Sequence, residues 1–171
     1  EIKNAVAWDE PFVADNSWRV YNAKITETDR QRVILDETKA CFLNNSETSE
    51  ASPIQNLDVP FIKSPRLYKG VGEISFMARA YTTQPATLYV MATTNGWNAP
   101  PESWSVIHQF SGIDNLLYEP FSLKLLDGGK YNAIRLSTLI GEARVCVEDV
   151  VISEPVFPSF EILDVKTLCK D

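Results

Sequence analysis

Alternation of apolar and polar residues along positions 70–94 constrains the fold more than any other feature of this sequence. It occurs in two runs, 72–81 and 86–94, separated by a turn at 82–85 that ends in a proline. A period of two is typical of a strand that buries one face. The apolar set consists of Ile74, Phe76, Ala78 and Ala80 in the first run and of Leu88 and Val90 in the second. We therefore predict two adjacent strands joined as a hairpin, whose apolar face needs a second sheet above it.

Short strands separated by turn signals account for most of the remaining chain. Besides the hairpin, the predicted strands are 32–35, 40–43, 59–67, 104–110, 116–125, 131–139 and 144–153. Pro60 and Pro65 favour an edge or an irregular strand at 59–67 over a central one, because proline cannot donate to a strand ladder. No segment combines a helical period with caps. This succession of strands predicts an all-β fold, a two-sheet antiparallel β-sandwich of the jelly-roll type.

The composition indicates an acidic globular chain. Its 171 residues are the usual size of one domain, and 44% of them are hydrophobic, which suffices for a core. The net charge of −7, from 16 basic and 23 acidic side chains, disfavours a nucleic-acid partner, since no local basic patch offsets it. No apolar run reaches the roughly 18 residues that a transmembrane helix requires. We therefore expect neither nucleic-acid binding nor membrane insertion.

The predicted sandwich spans residues 1–154. Residues 155–171 begin with Pro155 and Pro158, which interrupt the strand pattern and are typical of an inter-domain joint. We favour a linker or the start of a following domain for this segment. The alternative is that it supplies the last strand of the same sandwich.

Three cysteines, Cys41, Cys146 and Cys169, do not form a recognisable framework. Their spacing matches no zinc motif, and an odd number leaves at least one thiol without a partner in the chain. A Cys41–Cys146 disulfide and buried free thiols are both compatible with the sequence.

Short motifs between about residues 62 and 153 resemble, in order, those of the secreted cleaved-adhesin, MAM-like and carbohydrate-binding-module sandwiches. The motifs are Ile62-Lys-Ser-Pro65, Gly72-Glu-Ile-Ser-Phe-Met-Ala-Arg79, Pro85-Ala-Thr-Leu-Tyr-Val90, Trp104-Ser-Val-Ile-His-Gln-Phe110, Tyr118-Glu-Pro-Phe121 and Val145-Cys-Val-Glu-Asp-Val150. They consist mainly of core positions, so the resemblance is specific for the fold and weak for the ligand. It implies an extracellular, bacterial module attached to glycan-active enzymes or surface adhesins.

The resemblance also implies a structural Ca²⁺ ion where the first and last strands meet. The matching positions are Asp149 together with Asp9 or Glu10, although the family's paired acids are Glu148 and Asp149 here. Calcium takes six to eight oxygen ligands, so carboxylates from both chain ends would fasten the termini together.

The sequence contains no catalytic constellation. It lacks the motifs Gly-x-Ser-x-Gly, His-Glu-x-x-His and the P-loop, and its single histidine, His108, lies within a predicted strand with its side chain expected to face inward. Some jelly-roll polysaccharide lyases use Gln, His, Arg and Tyr on one sheet. A faint counterpart here is the set His108, Gln109, Arg79, Arg135 and Tyr81.

Aromatic residues favour sugar binding, because flat rings stack on the C–H faces of sugars. Trp97 lies in the loop Asn95-Gly-Trp-Asn98, before two prolines, and is hard to explain as core unless it covers the end of the sandwich. Asn95, Asn98 and Glu102 are predicted partners for sugar hydroxyls.

A second candidate platform lies on the outer face of the predicted hairpin. It comprises Tyr81 and Tyr89 with Arg79 beside Tyr81, although the sequence slightly favours a second packing layer under the loop at 44–56 as the explanation for Tyr89. Arg135 lies on a neighbouring strand. If Arg79 and Arg135 share a face, an acidic glycan becomes attractive, since a guanidinium binds a carboxylate through two hydrogen bonds.

Together these features predict a non-catalytic carbohydrate-binding module of a secreted multidomain protein. It would act as a monomer that brings an attached enzyme or cell surface to a polysaccharide or oligosaccharide. The alternative is a protein-binding or adhesion module, and a polysaccharide lyase comes third.

Overall fold

Two antiparallel sheets enclose the core in the computed structural model, which describes residues 6–7, 12–13, 19–21, 23–26, 40–43, 54–55, 59–96, 98–139 and 142–156. The strands in these ranges are β1 (Val6–Ala7), β2 (Phe12–Val13), β3 (Arg19–Tyr21), β4 (Ala23–Thr26), β5 (Ala40–Leu43), β6 (Phe61–Lys63), β7 (Glu73–Ala80), β8 (Ala86–Thr93), β9 (Ser105–Ile113), β10 (Glu119–Lys124), β11 (Ala133–Ser137) and β12 (Val145–Ser153). Short 3-10 turns occur at Pro101–Ser103 and Gly128–Lys130. No helix in the described ranges has the length and hydropathy needed to cross a bilayer.

The strand order shows how the chain alternates between the sheets. Sheet A has the order β1-β4-β5-β12-β7-β10, and sheet B has the order β2-β3-β6-β11-β8-β9. The pairings between neighbouring strands are antiparallel in both sheets. The predicted all-β, two-sheet antiparallel sandwich is therefore confirmed.

The predicted hairpin between residues 72–81 and 86–94 is wrong. Strand β7 belongs to sheet A and β8 to sheet B, so the connection between them crosses from one sheet to the other. β7 pairs with β10 and β12, whereas β8 pairs with β9 and β11. Alternation determines which face of a strand is buried but not which strand lies beside it. Both apolar faces are equally buried when β7 and β8 line one core from opposite sheets.

Strand β6 lies inside sheet B, between β3 and β11, so the edge alternative is wrong and the irregular-strand alternative is left. The strand is only three residues long. Pro60 and Pro65 therefore flank the ladder rather than interrupt it. The physical restriction on proline is satisfied without an edge position.

The main core lies between the sheets. Its buried side chains include Ile74, Phe76, Ala78, Val145 and Val147 from sheet A and Leu88, Val90, Ala92, Ile134 and Leu136 from sheet B. Burial of a side chain such as leucine or isoleucine contributes about 1.5–3 kcal/mol. Phe76, Phe110 and Phe121 close one side, with ring centroids 5.4–5.7 Å apart. The predicted inward faces of the runs 72–81 and 86–94 are confirmed.

Each outer face also carries an apolar layer. Tyr118 and Cys146 are buried on sheet A with Met77 and Tyr81 against them, and Met91, Trp104 and Ala133 are buried on sheet B with Ile54 against them. The indole Nε1 of Trp104 donates to Ala99 O (3.3 Å). Trp104 therefore has a structural role in this layer. A polar or aromatic residue on an outer face is consequently not always available to a ligand.

Cys146 is buried and is not disulfide-bonded, so the structure does not contain the Cys41–Cys146 bridge. Strand pairing gives the reason. Cys41 lies opposite Val147, and Cys146 lies opposite Phe42, so the two cysteines occupy neighbouring rungs of the ladder. Neighbouring rungs point to opposite faces of a sheet. Cys169 lies outside the described residues.

The last described residues after β12 pack against the start of β7. Gly72 N donates to Ser153 O (2.7 Å), and Lys69 Nζ lies 3.0 Å from a carboxylate oxygen of Glu154. Residues 153–155 thus belong to the sandwich. Residues 157–171 lie outside the described residues, and their interpretation as a linker stays a prediction.

Candidate ligand-binding site

Asn132 joins two segments at one end of sheet B. Asn132 directly precedes β11, which lies between β6 and β8. It can therefore form hydrogen bonds with the segment after β6 and with the segment after β8. Its hydrogen bonds are Leu67 N to Asn132 O (2.9 Å), Asn132 N to Thr93 O (3.0 Å), Gly96 N to Asn132 Oδ1 (2.9 Å) and Asn132 Nδ2 to Thr94 O (2.8 Å). They hold the segment 64–68 beside the loop 94–104.

The loop 94–104 is fixed by its own hydrogen bonds. Asn95 Nδ2 donates to Ser103 Oγ (3.0 Å), and Ala99 N donates to Gly96 O (3.1 Å). Gly96 has a φ of 93°, a left-handed conformation that favours glycine. Two successive prolines, Pro100 and Pro101, further restrict the backbone. The described part of this loop would therefore lose little conformational entropy on binding a ligand.

An open cleft of about 700 Å³ lies between these two segments. Its described lining comprises Pro65, Arg66, Tyr68, Asn95, Gly96, Asn98, Ala99 and Pro100. Tyr68 is 82% exposed, and the Arg66 guanidinium lies 4.9 Å from the centroid of its ring. We call this surface the Tyr68 cleft. It combines an accessible aromatic ring, one cation and two side-chain amides.

The structure brings part of the predicted site into the Tyr68 cleft. Asn95 and Asn98 are exposed and line it. Glu102 is exposed on the same loop but is not among the lining residues. Trp97 lies outside the described residues, although it comes between two lining residues in the sequence.

Tyr68, Arg66 and Asn132 were not predicted as site residues. Tyr68 and Arg66 lie between Pro65 and Gly70 without any periodic pattern. An aromatic residue outside the alternating runs is the only sequence signal that distinguishes Tyr68. The hydrogen bonds of Asn132 depend on the strand order of sheet B, which the sequence pattern does not specify.

The predicted platform of Arg79, Tyr81 and Tyr89 is wrong as a single surface. Arg79 and Tyr89 lie on strands of different sheets. Arg79 is 1% exposed, its Nη1 donates to Ala80 O (2.9 Å), and its guanidinium lies 5.3 Å from the Tyr118 ring centroid. Tyr81 is half-buried with the Arg144 guanidinium 5.7 Å from its ring centroid. Burial also raises the pKa of Tyr118, and Cys146 and Glu148 act in the same direction.

The outer face of sheet B carries Tyr89 and Arg135 in structural roles. The hydroxyl of Tyr89 donates to Glu142 Oε1 (3.3 Å), and burial raises the pKa values of both groups. Arg135 is fully buried and donates to Ser137 Oγ (2.8 Å), Gln55 O (3.2 Å) and Ile54 O (2.8 Å). Arg79 and Arg135 therefore do not share a face, and the argument for an acidic glycan at that pair is wrong.

Solved structures with a similar fold include cleaved adhesin domains and a candidate sugar-binding protein. The K1 cleaved adhesin domain of Lys-gingipain from Porphyromonas gingivalis W83 matches 86% of this chain and 90% of its own with a TM-score of 0.52 at 11% identity. A candidate sugar-binding protein from Bacteroides thetaiotaomicron VPI-5482 matches 90% of this chain and 94% of its own with a TM-score of 0.52 at 13% identity. This chain has their fold.

The K2 cleaved adhesin domain of Lys-gingipain is similar as well. It covers 80% of this chain and 81% of its own, with a TM-score of 0.51 at 10% identity. No protein-family model matches the sequence, and no curated protein sequence matches it. The resemblance to cleaved-adhesin and carbohydrate-binding sandwiches is thus confirmed at the level of the fold.

The predicted calcium ligands are only partly described. Asp149 is exposed and has a φ of 51°, next to an irregularity in the pairing of β12 with β7. Asp9 and Glu10 lie outside the described residues. In the described ranges no three His, Cys, Asp or Glu side chains are grouped to hold a metal ion. Two strands, β4 and β5, separate β1 from β12 in sheet A. The first and last described strands are therefore not neighbours, which contradicts the prediction that they meet.

The residues compared with a lyase set are not brought together. His108 is half-buried, and its ring centroid lies 4.5 Å from that of Phe110 on the same strand. Arg79 belongs to sheet A and Arg135 to sheet B. A bulge shifts the register between β8 and β9, so that His108 lies opposite Val90 and Val106 lies opposite Met91.

Proposed function

We propose that this chain is a non-catalytic carbohydrate-binding module and that the Tyr68 cleft binds the sugar. The observation that carries the proposal is the 82% exposed ring of Tyr68 beside a fixed loop bearing Asn95 and Asn98. A single exposed ring is common on protein surfaces, but this ring lies in a cleft together with two side-chain amides and one guanidinium. A pyranose stacks its C–H face on such a ring, while amide groups bind its hydroxyls.

The fold supports the same proposal. Sandwiches of this type in Lys-gingipain are described as adhesin domains, and another is described as a candidate sugar-binding protein. We infer a secreted, extracellular module that works as a monomer within a larger protein. Binding to a polysaccharide would then raise the local concentration of the attached domains at their target.

A structural calcium ion at Asp149 remains part of the proposal. The carboxylate of Asp149 is exposed, and its hard oxygens are suitable ligands. Its further ligands, Asp9 or Glu10, would have to approach from the connection between β1 and β2. Calcium would fix the backbone there and take no part in chemistry.

The test compares wild type with Tyr68→Ala and Trp97→Ala on a glycan array and by affinity electrophoresis. We expect Tyr68→Ala to weaken glycan binding about tenfold or more, which corresponds to roughly 1.4 kcal/mol. Leu117→Ala is the matched control, because Leu117 is 59% exposed and does not line the cleft. Unchanged binding in Tyr68→Ala would place the site elsewhere.

Protein binding is the second candidate function. Leu126 and Val156 are almost fully exposed and line a second cleft of about 510 Å³ beside residues 72–73 and 153–155. Exposed apolar side chains near the described end of a domain are suitable for contact with another protein. A wild-type protein that binds no glycan but captures a protein through these residues would favour this alternative.

A further inference from the structure

Arg66 carries the only charge among the described residues that line the Tyr68 cleft. The chain as a whole has a net charge of −7, with 23 acidic side chains. The described lining of the cleft thus holds one cation and no acid, although acidic side chains are in excess in the chain. The second cleft differs, because its lining holds Lys124 together with three acids, Glu73, Asp127 and Glu154.

The guanidinium of Arg66 is available to a ligand. It is exposed, it lies 4.9 Å from the Tyr68 ring centroid, and it forms no hydrogen bond or ion pair with a described residue. Stacking on an aromatic ring leaves the N–H groups at the edge of the guanidinium plane free to donate. Arg79 and Arg135 differ in this respect, because both are buried and donate to backbone carbonyls.

A uronic acid residue matches this arrangement. It has the same apolar ring faces as a neutral pyranose, but a carboxylate replaces the neutral hydroxymethyl group. An arginine fork binds a planar carboxylate through two parallel hydrogen bonds, which lysine cannot reproduce. The Tyr68 ring and the Arg66 guanidinium line the same cleft, so both kinds of contact that a uronic acid residue requires are present there.

We propose that the Tyr68 cleft selects polysaccharides built from uronic acids and that Arg66 determines this selectivity by binding the carboxylate. This inference rests on the proposed carbohydrate-binding function. At physiological ionic strength the Debye length is about 8 Å, so a carboxylate in the cleft interacts mainly with nearby groups rather than with the whole acidic protein.

The experiment uses two probes with the same sugar backbone, hexagalacturonate and its fully methyl-esterified form, which lacks the carboxylate charges, by calorimetry at about 0.15 M salt. We expect wild type to bind the free acid at least about tenfold more tightly than the ester, and Arg66→Gln to bind both equally. Arg66→Lys should recover only part of the preference. Lys69→Gln is the control, because it removes an exposed cation three positions away that does not line the cleft.

The outcomes separate this inference from the function on which it rests. Equal binding of both probes by wild type, or a preference that survives in Arg66→Gln, would overturn the role of Arg66 and leave sugar binding intact. Binding of neither these probes nor any array glycan would overturn both. A preference lost in Arg66→Gln and retained in Lys69→Gln would support the inference. Sulfated oligosaccharides form an additional arm, and equally tight binding to them would overturn selectivity for the carboxylate.

Discussion

Lys63 shows how strongly burial changes the pKa of a charged side chain in this sandwich. Lys63 is 6% exposed and lies between Arg19 and Arg135 in the strand register of sheet B. Burial, followed by the two arginines, lowers the pKa of Lys63 from 10.5 to about 8. Its charged form is therefore less favourable in the folded protein than in the unfolded chain.

The consequence is a stability that increases with pH. Between pH 8 and 10.5 the unfolded chain binds more protons at Lys63 than the folded protein, so raising the pH favours folding. We predict that the free energy of unfolding increases between pH 7.5 and 9.5 by about 1–3 kcal/mol, since one pKa unit corresponds to about 1.4 kcal/mol. Urea titrations at both pH values measure the change. The increase should disappear in Lys63→Met and persist in Lys69→Met, and parallel profiles for wild type and Lys63→Met would contradict the assignment.

Burial of polar and charged side chains also explains why the candidate site could be predicted only in part from the sequence. Arg79, Arg135 and Tyr89 lie on the non-core faces of their strands, as the alternation predicts, but apolar layers and loop carbonyls cover those faces. Alternation reports on which side of a sheet a residue lies, not whether that side contacts water. Asn95 and Asn98 were found because an Asn-Gly loop between strands is exposed irrespective of strand order.

At the level of elements, the contact between the start of β7 and the end of β12 limits which residues can replace Gly72. A Cβ at Gly72 would lie 2.3 Å from Glu154 O and 2.8 Å from the Cα of Pro155. Backbone atoms cannot move away as a flexible side chain can, so β12 would have to shift. Residues 153–155 therefore depend on glycine at this position.

We predict that Gly72→Ala destabilises the protein by about 1–3 kcal/mol, the usual cost of overpacking. For a domain of this size that corresponds to a decrease in Tm of roughly 2–12 °C. Thermal unfolding followed by circular dichroism measures it. Ser122→Ala serves as control, because Ser122 is exposed on β10. A Tm equal to that of wild type would show that the end of β12 is not held against β7.

The positions of strands can be predicted where residues close in sequence determine them. The strands from residue 104 onward were placed near their observed positions, because turn signals such as Asp127-Gly-Gly129 interrupt the apolar pattern between them. Pairing depends instead on contacts between distant residues. The hairpin prediction was wrong because a five-residue connection such as 81–85 is long enough either to reverse the chain within a sheet or to cross to the other sheet.

At the level of the whole molecule, the fold could be predicted because core positions dominate the motifs that resemble adhesin and carbohydrate-binding sandwiches. The ligand could not, because ligand contacts come from loops whose relative placement depends on strand order. The Tyr68 cleft joins the segments 64–68 and 94–104, which are distant in sequence but are held together across β11.

Calcium binding is the last prediction at this level. If an ion bridges Asp149 to the connection between β1 and β2, it binds only the folded protein and stabilises it by about 2.7 kcal/mol at one hundred times its dissociation constant. We predict that EDTA lowers the Tm of wild type and that Asp149→Asn has this lower Tm with or without Ca²⁺. Asp114→Asn, which removes an exposed carboxylate from another loop, should behave as wild type. An unchanged wild-type midpoint in EDTA would contradict the prediction, and the strand order that separates β1 from β12 would then explain why the two chain ends share no ion.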